Sequence, residues 1–324
     1  MKPKVFLAAP VPEEVESYIG QHFEFRKWDG EGPIPDDHLR SEISDVEGLL
    51  ITGKKIDDSL LNQAPKLKIV SNASVGYNNF DIEAMQKHDV IGTNTPHVLD
   101  DTVSDLIFGL ILSAARRLPE LDHYVKQGRW KNGEGDRKFF GTDVHHATLG
   151  LIGMGRVGEK IAKRGKYGFD MNVLYYNRSR KYEVEKEHGY TYASLEDLLR
   201  HSDFVVLMTP LSSETVHFIG RDEFKLMKDS GVFVNGSRGQ TVDEKAMVEA
   251  LQAGEIRSVA LDVFQQEPVD PEHPLLQMPN AVTIPHIGSA TNKTRSDMAK
   301  LAAENLVKGV NGEEPPNIVK EFKD

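Results

Sequence analysis

Arg238, Glu267 and His286 are three side chains of complementary chemistry, and each follows a short apolar run that predicts a β-strand. Ligands of open parallel α/β sheets collect at the carboxyl ends of the strands, so we expect these three groups along one edge. Each residue type alone is more often structural. Their combination at successive strand ends indicates a site.

Together these groups suit the reduction of a 2-oxo acid. A hydride that adds to a carbonyl carbon leaves negative charge on the oxygen, and a protonated imidazole can donate a proton to that oxygen. A neighbouring carboxylate keeps the imidazole oriented. A guanidinium can hold a substrate carboxylate and polarise the carbonyl. We therefore predict His286 as the acid/base, Glu267 as its partner and Arg238 as the substrate-binding cation.

Two other chemistries fit the sequence less well. Ser237, His286 and Asp262 could be taken for a hydrolytic triad, but no Gly-x-Ser-x-Gly elbow is present. His145 and His146 are adjacent, which places them on opposite faces of an extended segment. We expect a structural role for this pair and no metal site.

A glycine-rich turn predicts the source of the hydride. Residues 147–158 read as a strand that ends in Gly153-x-Gly155-x-x-Gly158, and a helical pattern follows. In a dinucleotide site the first glycine allows the tight turn, the second lets the backbone approach a pyrophosphate, and the third lets helix and strand pack closely. The phosphates would then lie at the free N–H groups of the helix start.

The end of the next predicted strand indicates which cofactor is bound. An NAD site usually has Asp or Glu here to hold the ribose hydroxyls, whereas this chain has Asn177, Arg178, Ser179 and Arg180. We expect no carboxylate to repel a 2′-phosphate and two guanidiniums to bind it. The sequence therefore predicts NADP(H) in preference to NAD(H), which is the second candidate. The alternative is a solvated basic turn.

Length and composition restrict the class of protein. The chain has 324 residues, a net charge of −11 and no cysteine. This length predicts two domains, the acidic balance disfavours a nucleic-acid partner, and the missing cysteines exclude disulfides and thiolate sites. No apolar run approaches the roughly 18 residues that span a membrane, and the first residues lack a signal-peptide core. We expect a cytoplasmic protein without a membrane partner.

Short apolar runs alternate with helical patterns, which predicts parallel sheets with crossover helices. A long amphipathic helix is expected over 102–126 and a last one over 291–308. Because the glycine turn lies in mid-chain, we predict a discontinuous substrate-binding domain of residues 1–98 plus 288–324, and a dinucleotide-binding domain of 99–287. The predicted strands are 5–8, 48–51, 68–71, 90–92, 147–152, 171–176, 204–208, 232–235, 259–262 and 282–284.

These segments resemble those of the D-isomer-specific 2-hydroxyacid dehydrogenases over almost the whole chain. Within that family the chain is most similar to glyoxylate/hydroxypyruvate reductases and bacterial 2-ketogluconate reductases. The resemblance implies an α/β fold of two Rossmann-like or flavodoxin-like parallel-sheet domains with the active site in the cleft between them. It implies NADPH-dependent reduction of glyoxylate, hydroxypyruvate or 2-ketogluconate. The segments that carry it are SVGY at 74–77, GMGRVG at 153–158, GSRG at 236–239, LDVF at 261–264 and PHIGSAT at 285–291.

The resemblance also implies roles for individual residues. Arg238 and His286 would bind substrate together with the backbone N–H groups of Val75 and Gly76, and Glu267 would support His286. The predicted cofactor site comprises Thr102, Gly153, Gly155, Arg156, Val157, Gly158, Asn177, Arg178, Ser179, Arg180, Thr209, Pro210, Thr215, Gly236, Ser237, Gly288 and, for the nicotinamide carboxamide, Asp262.

Trp130 lies where such reductases place a tryptophan that reaches into the neighbouring subunit, which implies a homodimer joined through the cofactor domains. Two positions depart from the family pattern. Asn78 replaces an Asp, which would weaken a hydrogen bond that shapes its loop. Gly236 replaces a bulkier residue, which would leave room beside the nicotinamide. The family also contains binding proteins that sense nicotinamide redox state. A catalytically weak sensor of this kind, or another D-2-hydroxyacid dehydrogenase, is the alternative.

Overall fold

A computed structural model describes residues 2–133 and 135–323 of the chain. The chain forms two compact units: Met1–Leu99 with Ala290–Asp324, and Asp100–Ser289. Each unit has a parallel β-sheet with helices packed against it, so the predicted α/β fold with two parallel-sheet domains is confirmed.

The first unit contains a five-stranded sheet in the order β2-β1-β3-β4-β5. Helix α12 covers one face of this sheet, where its apolar residues pack against those of β1, β3 and β4. The buried Ser71 hydroxyl donates to the Ala302 carbonyl at 2.7 Å, which ties β4 to this helix. The strands are β1 Lys4–Leu7, β2 Glu24–Lys27, β3 Gly48–Ile51, β4 Ile69–Asn72 and β5 Ile91–Thr93, and the helices are α1 Glu13–His22, α2 Asp36–Glu42, α3 Asp58–Leu61, α4 Ile82–Lys87 and α12 Asn292–Val310.

The second unit contains a seven-stranded sheet in the order β12-β11-β10-β9-β6-β7-β8. The strand order reverses between β6 and β9, because β7 and β8 lie on one side of β6 and the later strands lie on the other. Ligands of open parallel sheets bind beyond the carboxyl ends of the strands at such a point. The strands are β6 Thr148–Ile152, β7 Asn172–Tyr176, β8 Thr191–Tyr192, β9 Phe204–Leu207, β10 Val232–Asn235, β11 Ser258–Leu261 and β12 Ala281–Thr283, and the helices are α5 Asp100–Arg116, α6 Leu118–Lys126, α7 Arg156–Phe169, α8 Tyr182–His188, α9 Leu195–His201, α10 Arg221–Leu226 and α11 Glu244–Ala253.

The single long helix expected over 102–126 is wrong. It breaks at Arg117, whose φ of 55° is left-handed, and α6 starts at the next residue. Pro119 explains the break, because proline lacks an N–H and its ring clashes with the carbonyl four residues before it in a continuous helix. The Arg117 guanidinium then donates two hydrogen bonds to the carboxylate of Glu120 in the first turn of α6, at 2.8 and 2.6 Å.

Within the described residues, no helix is long and apolar enough to cross a membrane. The same part of the chain brings no three His, Asp or Glu side chains together in a way that could hold a metal ion.

Candidate active site

His286 and Glu267 form a hydrogen-bonded pair on neighbouring strand-end loops. The His286 Nδ1 lies 2.7 Å from Oε2 of Glu267, and Oε1 of Glu267 accepts the Phe264 N–H at 3.0 Å. With Nδ1 bound to a carboxylate, Nε2 is the ring nitrogen that can exchange a proton with another molecule. The imidazole is 45% exposed, so such a molecule can reach it.

The charge of Glu267 is held by its surroundings. Burial alone would raise the pKa of this carboxyl, but hydrogen bonds from His286 and the Phe264 N–H, with the positive charges of His286 and Arg238, hold the pKa below its ordinary value. Glu267 is therefore ionised at neutral pH.

The loop that carries His286 is anchored by Asp262. One oxygen of the Asp262 carboxylate accepts the Ile287 N–H at 2.6 Å, and the other accepts the Gly288 N–H at 2.9 Å. Asp262 is 3% exposed, and burial raises its pKa against the effect of these two N–H groups. The structure thus gives Asp262 a positioning role, while its contact with a nicotinamide carboxamide stays a prediction.

Arg238 is a half-buried cation at the end of β10. Its Nη1 donates to the Ser237 carbonyl at 2.7 Å. Burial lowers the pKa of Arg238, and the carboxylates of Glu267 and Asp262 oppose this effect. An arginine starts from so high a pKa that it stays charged. The guanidinium is therefore a fixed positive charge in the field of the two carboxylates.

Gly239 allows the Arg238 loop to pack on the loop of Glu267. A Cβ at Gly239 would lie 1.8 Å from the Phe264 carbonyl carbon. No side chain fits at that distance, so glycine is required for the close approach. The hydroxyl of Ser237 is used inside its own loop, where it donates to Oδ1 of Asn235 at 2.8 Å.

Local geometry explains why glycine occupies all three positions of the Gly-x-Gly-x-x-Gly turn. Gly153 has φ +104°, and a Cβ there would lie 2.8 Å from the Met208 carbonyl carbon. A Cβ at Gly158 would lie 2.3 Å from the Gly153 oxygen, so α7 packs against the turn. At Gly155 no other described atom lies within 4 Å of a Cβ position, which leaves its backbone open to a ligand.

The turn therefore fits a dinucleotide. It precedes α7, a helix of 14 residues whose first N–H groups begin at Arg156, and helix N-termini bind phosphates. Within residues 2–133 and 135–323, the buried Thr209 hydroxyl has no hydrogen-bond partner, so it is available to a ligand group. The Arg156 Nε lies 3.2 Å from an oxygen of Asp100, which holds this side chain at the start of α7.

Three further predicted cofactor residues have local structural roles. The Thr215 hydroxyl donates to the Pro210 carbonyl at 2.7 Å and accepts the Ser212 N–H at 2.7 Å, so it braces the loop after β9. Val157 lies in the first turn of α7, where its carbonyl is 3.3 Å from the Ser104 hydroxyl. Thr102 is half-buried in the first turn of α5.

Of the two guanidiniums predicted to be available to a 2′-phosphate, Arg180 is already paired with a carboxylate. Arg180 Nε and Nη2 donate to the two oxygens of Glu185 at 2.8 and 2.7 Å, and the guanidinium lies over the rings of Tyr182 and Tyr192. Helix α8 starts directly after this loop, and its first turn places Glu185 beside Arg180. The Arg180 guanidinium, followed by the Tyr175 hydroxyl, lowers the pKa of Glu185 to about 2.

Arg178 is less constrained than Arg180. It is 85% exposed, and its contact with the exposed Glu214 is 3.4 Å long. Exposed pairs of this kind contribute little to stability. Asn177 donates to the Ser179 carbonyl at 3.0 Å, which shapes the loop between the two arginines. Arg178 is thus held less firmly than Arg180.

In the first unit, two asparagines fix the loop of Val75 and Gly76. The Asn94 and Asn72 side-chain amides donate to the Val75 and Gly76 carbonyls at 2.8 and 2.9 Å. Among the residues that the structure describes, neither the Val75 N–H nor the Gly76 N–H has an acceptor. Two adjacent backbone donors of this kind can bind an anion without a buried cation.

The room expected beside Gly236 is not open. A Cβ at Gly236 would lie 2.3 Å from Cδ1 of Ile107 and 3.1 Å from Sδ of Met208. Ile107 of α5 therefore occupies the space where the family pattern has a larger side chain. The sequence could not show this compensation, because Ile107 lies far from Gly236 in the chain.

Comparison with known proteins identifies the family. Residues 108–288 match the family described as D-isomer specific 2-hydroxyacid dehydrogenase, NAD binding domain. The glyoxylate/hydroxypyruvate reductase B of Serratia proteamaculans is 44% identical over 319 residues, which is 98% of each chain. The chain belongs to the D-isomer-specific 2-hydroxyacid dehydrogenases. Membership of this 2-hydroxyacid dehydrogenase family makes the protein a nicotinamide-dependent oxidoreductase.

Other 2-hydroxyacid dehydrogenases match over nearly their full length. The glyoxylate reductase of Thermococcus kodakarensis is 44% identical over 323 residues, covering 98% of this chain and 96% of that protein. A solved structure of the NADPH-dependent glyoxylate/hydroxypyruvate reductase of Sinorhizobium meliloti, in complex with NADP and malonate, is 31% identical with a TM-score of 0.86. It covers 99% of this chain and 98% of its own.

Replacing Glu267 with glutamine is expected to shift the pH dependence of this dehydrogenase. An amide cannot stabilise the imidazolium by charge, so the proposed proton donor is weakened. The proposed reduction uses the protonated imidazole, which is lost as pH rises. The alkaline limb of kcat/KM should therefore move to lower pH, with a loss of about tenfold near neutrality.

The measurement is the pH profile of kcat/KM for wild type and Glu267→Gln. Glu272→Gln, an exposed change five residues further along the chain, is the control and should leave the profile unchanged. An identical profile for wild type and Glu267→Gln would contradict the assigned role.

Proposed function

We propose that the protein reduces glyoxylate to glycolate and hydroxypyruvate to D-glycerate with NADPH, with 2-ketogluconate as a further candidate substrate. The observation that carries this proposal is the His286–Glu267 hydrogen bond of 2.7 Å on a strand-end loop of the unit that holds the glycine turn. The names of the relatives support the substrate class. We also propose that Asp100–Ser289 is the dinucleotide-binding domain and that the other unit binds substrate.

The cofactor would be held by the glycine turn, by the α7 start at Arg156 and Val157, and by Thr209. When bound, the reduced nicotinamide supplies a hydride to the carbonyl carbon of the substrate. Nε2 of protonated His286 donates the proton to the carbonyl oxygen, and Glu267 stabilises the imidazolium until it does.

Each unit has its own groups that could bind an anion. The Arg238 guanidinium attracts the substrate carboxylate and polarises the carbonyl that becomes negatively charged. The backbone N–H groups of Val75 and Gly76 are donors without partners among the described residues, and they suit a carboxylate oxygen. Asp262 keeps His286 in position through the backbone that follows it.

The direct test is the loss of reduced-nicotinamide absorbance with glyoxylate, hydroxypyruvate and 2-ketogluconate, with NADPH and with NADH. We expect turnover with the first two substrates and faster turnover with NADPH. Tight NADPH binding without turnover on any substrate would contradict the proposal and favour the nicotinamide-sensing binding protein.

Arg178 is proposed to give the preference for NADPH. Replacing it with alanine removes a charged donor to the 2′-phosphate, and such hydrogen bonds contribute about 1.5–3 kcal/mol. The KM for NADPH should therefore rise by about tenfold or more, while the KM for NADH stays unchanged. Arg200→Ala, on the exposed side of α9, is the matched control. An equal effect of Arg178→Ala on both cofactors would contradict this role.

We propose a homodimer joined through the cofactor domains. None of the nine residues of α6 is buried, and the large apolar side chains exposed on or near it are Leu118, Val125, Trp130 and Phe140. The side chain of Trp130 is the most exposed of these four, at 68%. Apolar surface of this extent favours a protein partner. Light scattering should give twice the chain mass of 36.2 kDa, and a mass of one chain would contradict the dimer.

A further inference from the structure

Glu244, the first residue of α11, has a buried carboxylate that contacts the loop before Glu267. It is 8% exposed. One carboxylate oxygen accepts the Gln265 N–H, and the other lies 3.4 Å from Nε2 of His273. In sequence Glu244 reads as an ordinary acid in the first turn of a helix. Its burial and its two contacts distinguish it from the exposed acids that usually occupy such positions.

Gln265 is held from several sides. Besides its N–H bond to Glu244, its carbonyl accepts the Gln240 side-chain amide at 2.8 Å, and its own amide nitrogen lies 3.2 Å from Nε2 of His217. The preceding residue, Phe264, donates its N–H to Glu267. The segment 264–267 is therefore fixed by Glu244 at one end and reaches His286 through Glu267 at the other.

Polar groups face the buried Glu244 carboxylate. His273 Nδ1 accepts the Leu275 N–H at 3.3 Å, so the proton of a neutral ring is on Nε2, which faces Glu244. The positive end of α11, a helix of ten residues, adds to this. A buried carboxylate is unfavourable without such partners.

We infer that Glu244 is a positioning residue for the Glu267–His286 pair. By fixing the Gln265 backbone, it keeps Oε2 of Glu267 at 2.7 Å from Nδ1 of His286, although it touches neither side chain. The inference rests on the proposed function, because it assumes that His286 donates the proton.

The experiment compares Glu244→Ala, Glu244→Gln and the control Glu249→Ala, which lies on the same helix and pairs with Arg221 at the surface. Glu244→Ala should lower kcat/KM by about tenfold and move the alkaline limb of its pH profile in the same direction as Glu267→Gln. Glu244→Gln should retain most activity, because its amide oxygen still accepts the Gln265 N–H. The control should match wild type.

A double-mutant cycle separates positioning from a general structural effect. If Glu244 acts through Glu267, Glu244→Ala should have less than about a twofold effect when Glu267 is already glutamine. The same tenfold loss in both backgrounds would overturn the inference, and so would an unchanged pH profile in Glu244→Ala.

A readout without turnover distinguishes failure of the inference from failure of the proposed function. The proton between Nδ1 of His286 and Glu267 should give a far-downfield NMR signal in wild type and Glu249→Ala. That signal should be lost or broadened in Glu244→Ala and retained in Glu244→Gln. An unchanged signal in Glu244→Ala overturns the inference whether or not the enzyme turns over, whereas an inactive wild type overturns only the proposed reaction.

Discussion

Replacing His286 with alanine is expected to lower kcat for glyoxylate by about 10²–10⁴-fold while NADPH binding stays intact, since a positioned general acid contributes about this much. Nε2 of His286 is the donor in the proposed reaction, and neither Glu267 nor Asp262 can replace it. Glu267 is an anion at neutral pH, and both oxygens of Asp262 already accept backbone N–H groups.

The backbone at His286 requires a second variant. Its φ of 50° is in the left-handed region, where alanine is less favourable than asparagine. His286→Asn therefore keeps the local conformation and still removes the titrating group. Both variants should lose turnover to the same extent, and calorimetric titration should show NADPH binding to each. Turnover near the wild-type rate in His286→Asn would contradict the assignment of the proton donor.

Replacing Arg238 with alanine is expected to lower kcat/KM by about 10²–10³-fold, the usual effect of removing one donor to a developing oxyanion. The guanidinium is proposed to act on the substrate carboxylate and on the carbonyl. KM for the 2-oxo acid should rise because the contact with the substrate carboxylate is present in the bound state, and kcat should fall because the contact with the carbonyl oxygen strengthens in the transition state.

Arg238→Lys distinguishes charge from shape. Lysine keeps the positive charge but lacks the planar fork that binds a carboxylate with paired N–H groups, so we expect it to recover only part of kcat/KM. Steady-state kinetics with glyoxylate at constant NADPH measures the effect. Full activity in Arg238→Lys would show that charge alone is sufficient, and full activity in Arg238→Ala would remove Arg238 from the mechanism.

The sequence predicted the central strands well because they are buried on both faces. The apolar run Val232–Asn235 is predicted to the residue, since parallel strands between helices are nearly all apolar. The edge strands Glu24–Lys27 and Thr191–Tyr192 were not predicted, because they are short and their residues show no apolar run. Their pairing partners stabilise them, which no local pattern reports.

The candidate site also contains residues that the sequence predicts and residues that it does not. Arg238, Glu267 and His286 were predictable because strand ends of a parallel sheet converge. Glu244 and Glu185 were not, because their partners come from other loops. An acid in the first turn of a helix gives no sign that its carboxylate is buried against Gln265 or paired with Arg180. Only the packing of α11 and α8 against those loops places them.

The first unit is built from both ends of the chain, and this has a consequence for biosynthesis. Its core includes Val5 and Leu7 of β1 together with Ala302 and Leu306 of α12. During synthesis from the N-terminus, these early strands leave the ribosome long before the helix that covers them. The Asp100–Ser289 unit is complete first and can fold on its own residues, since domains fold as units during translation. The apolar face of β1 therefore stays uncovered until the residues of α12 have emerged.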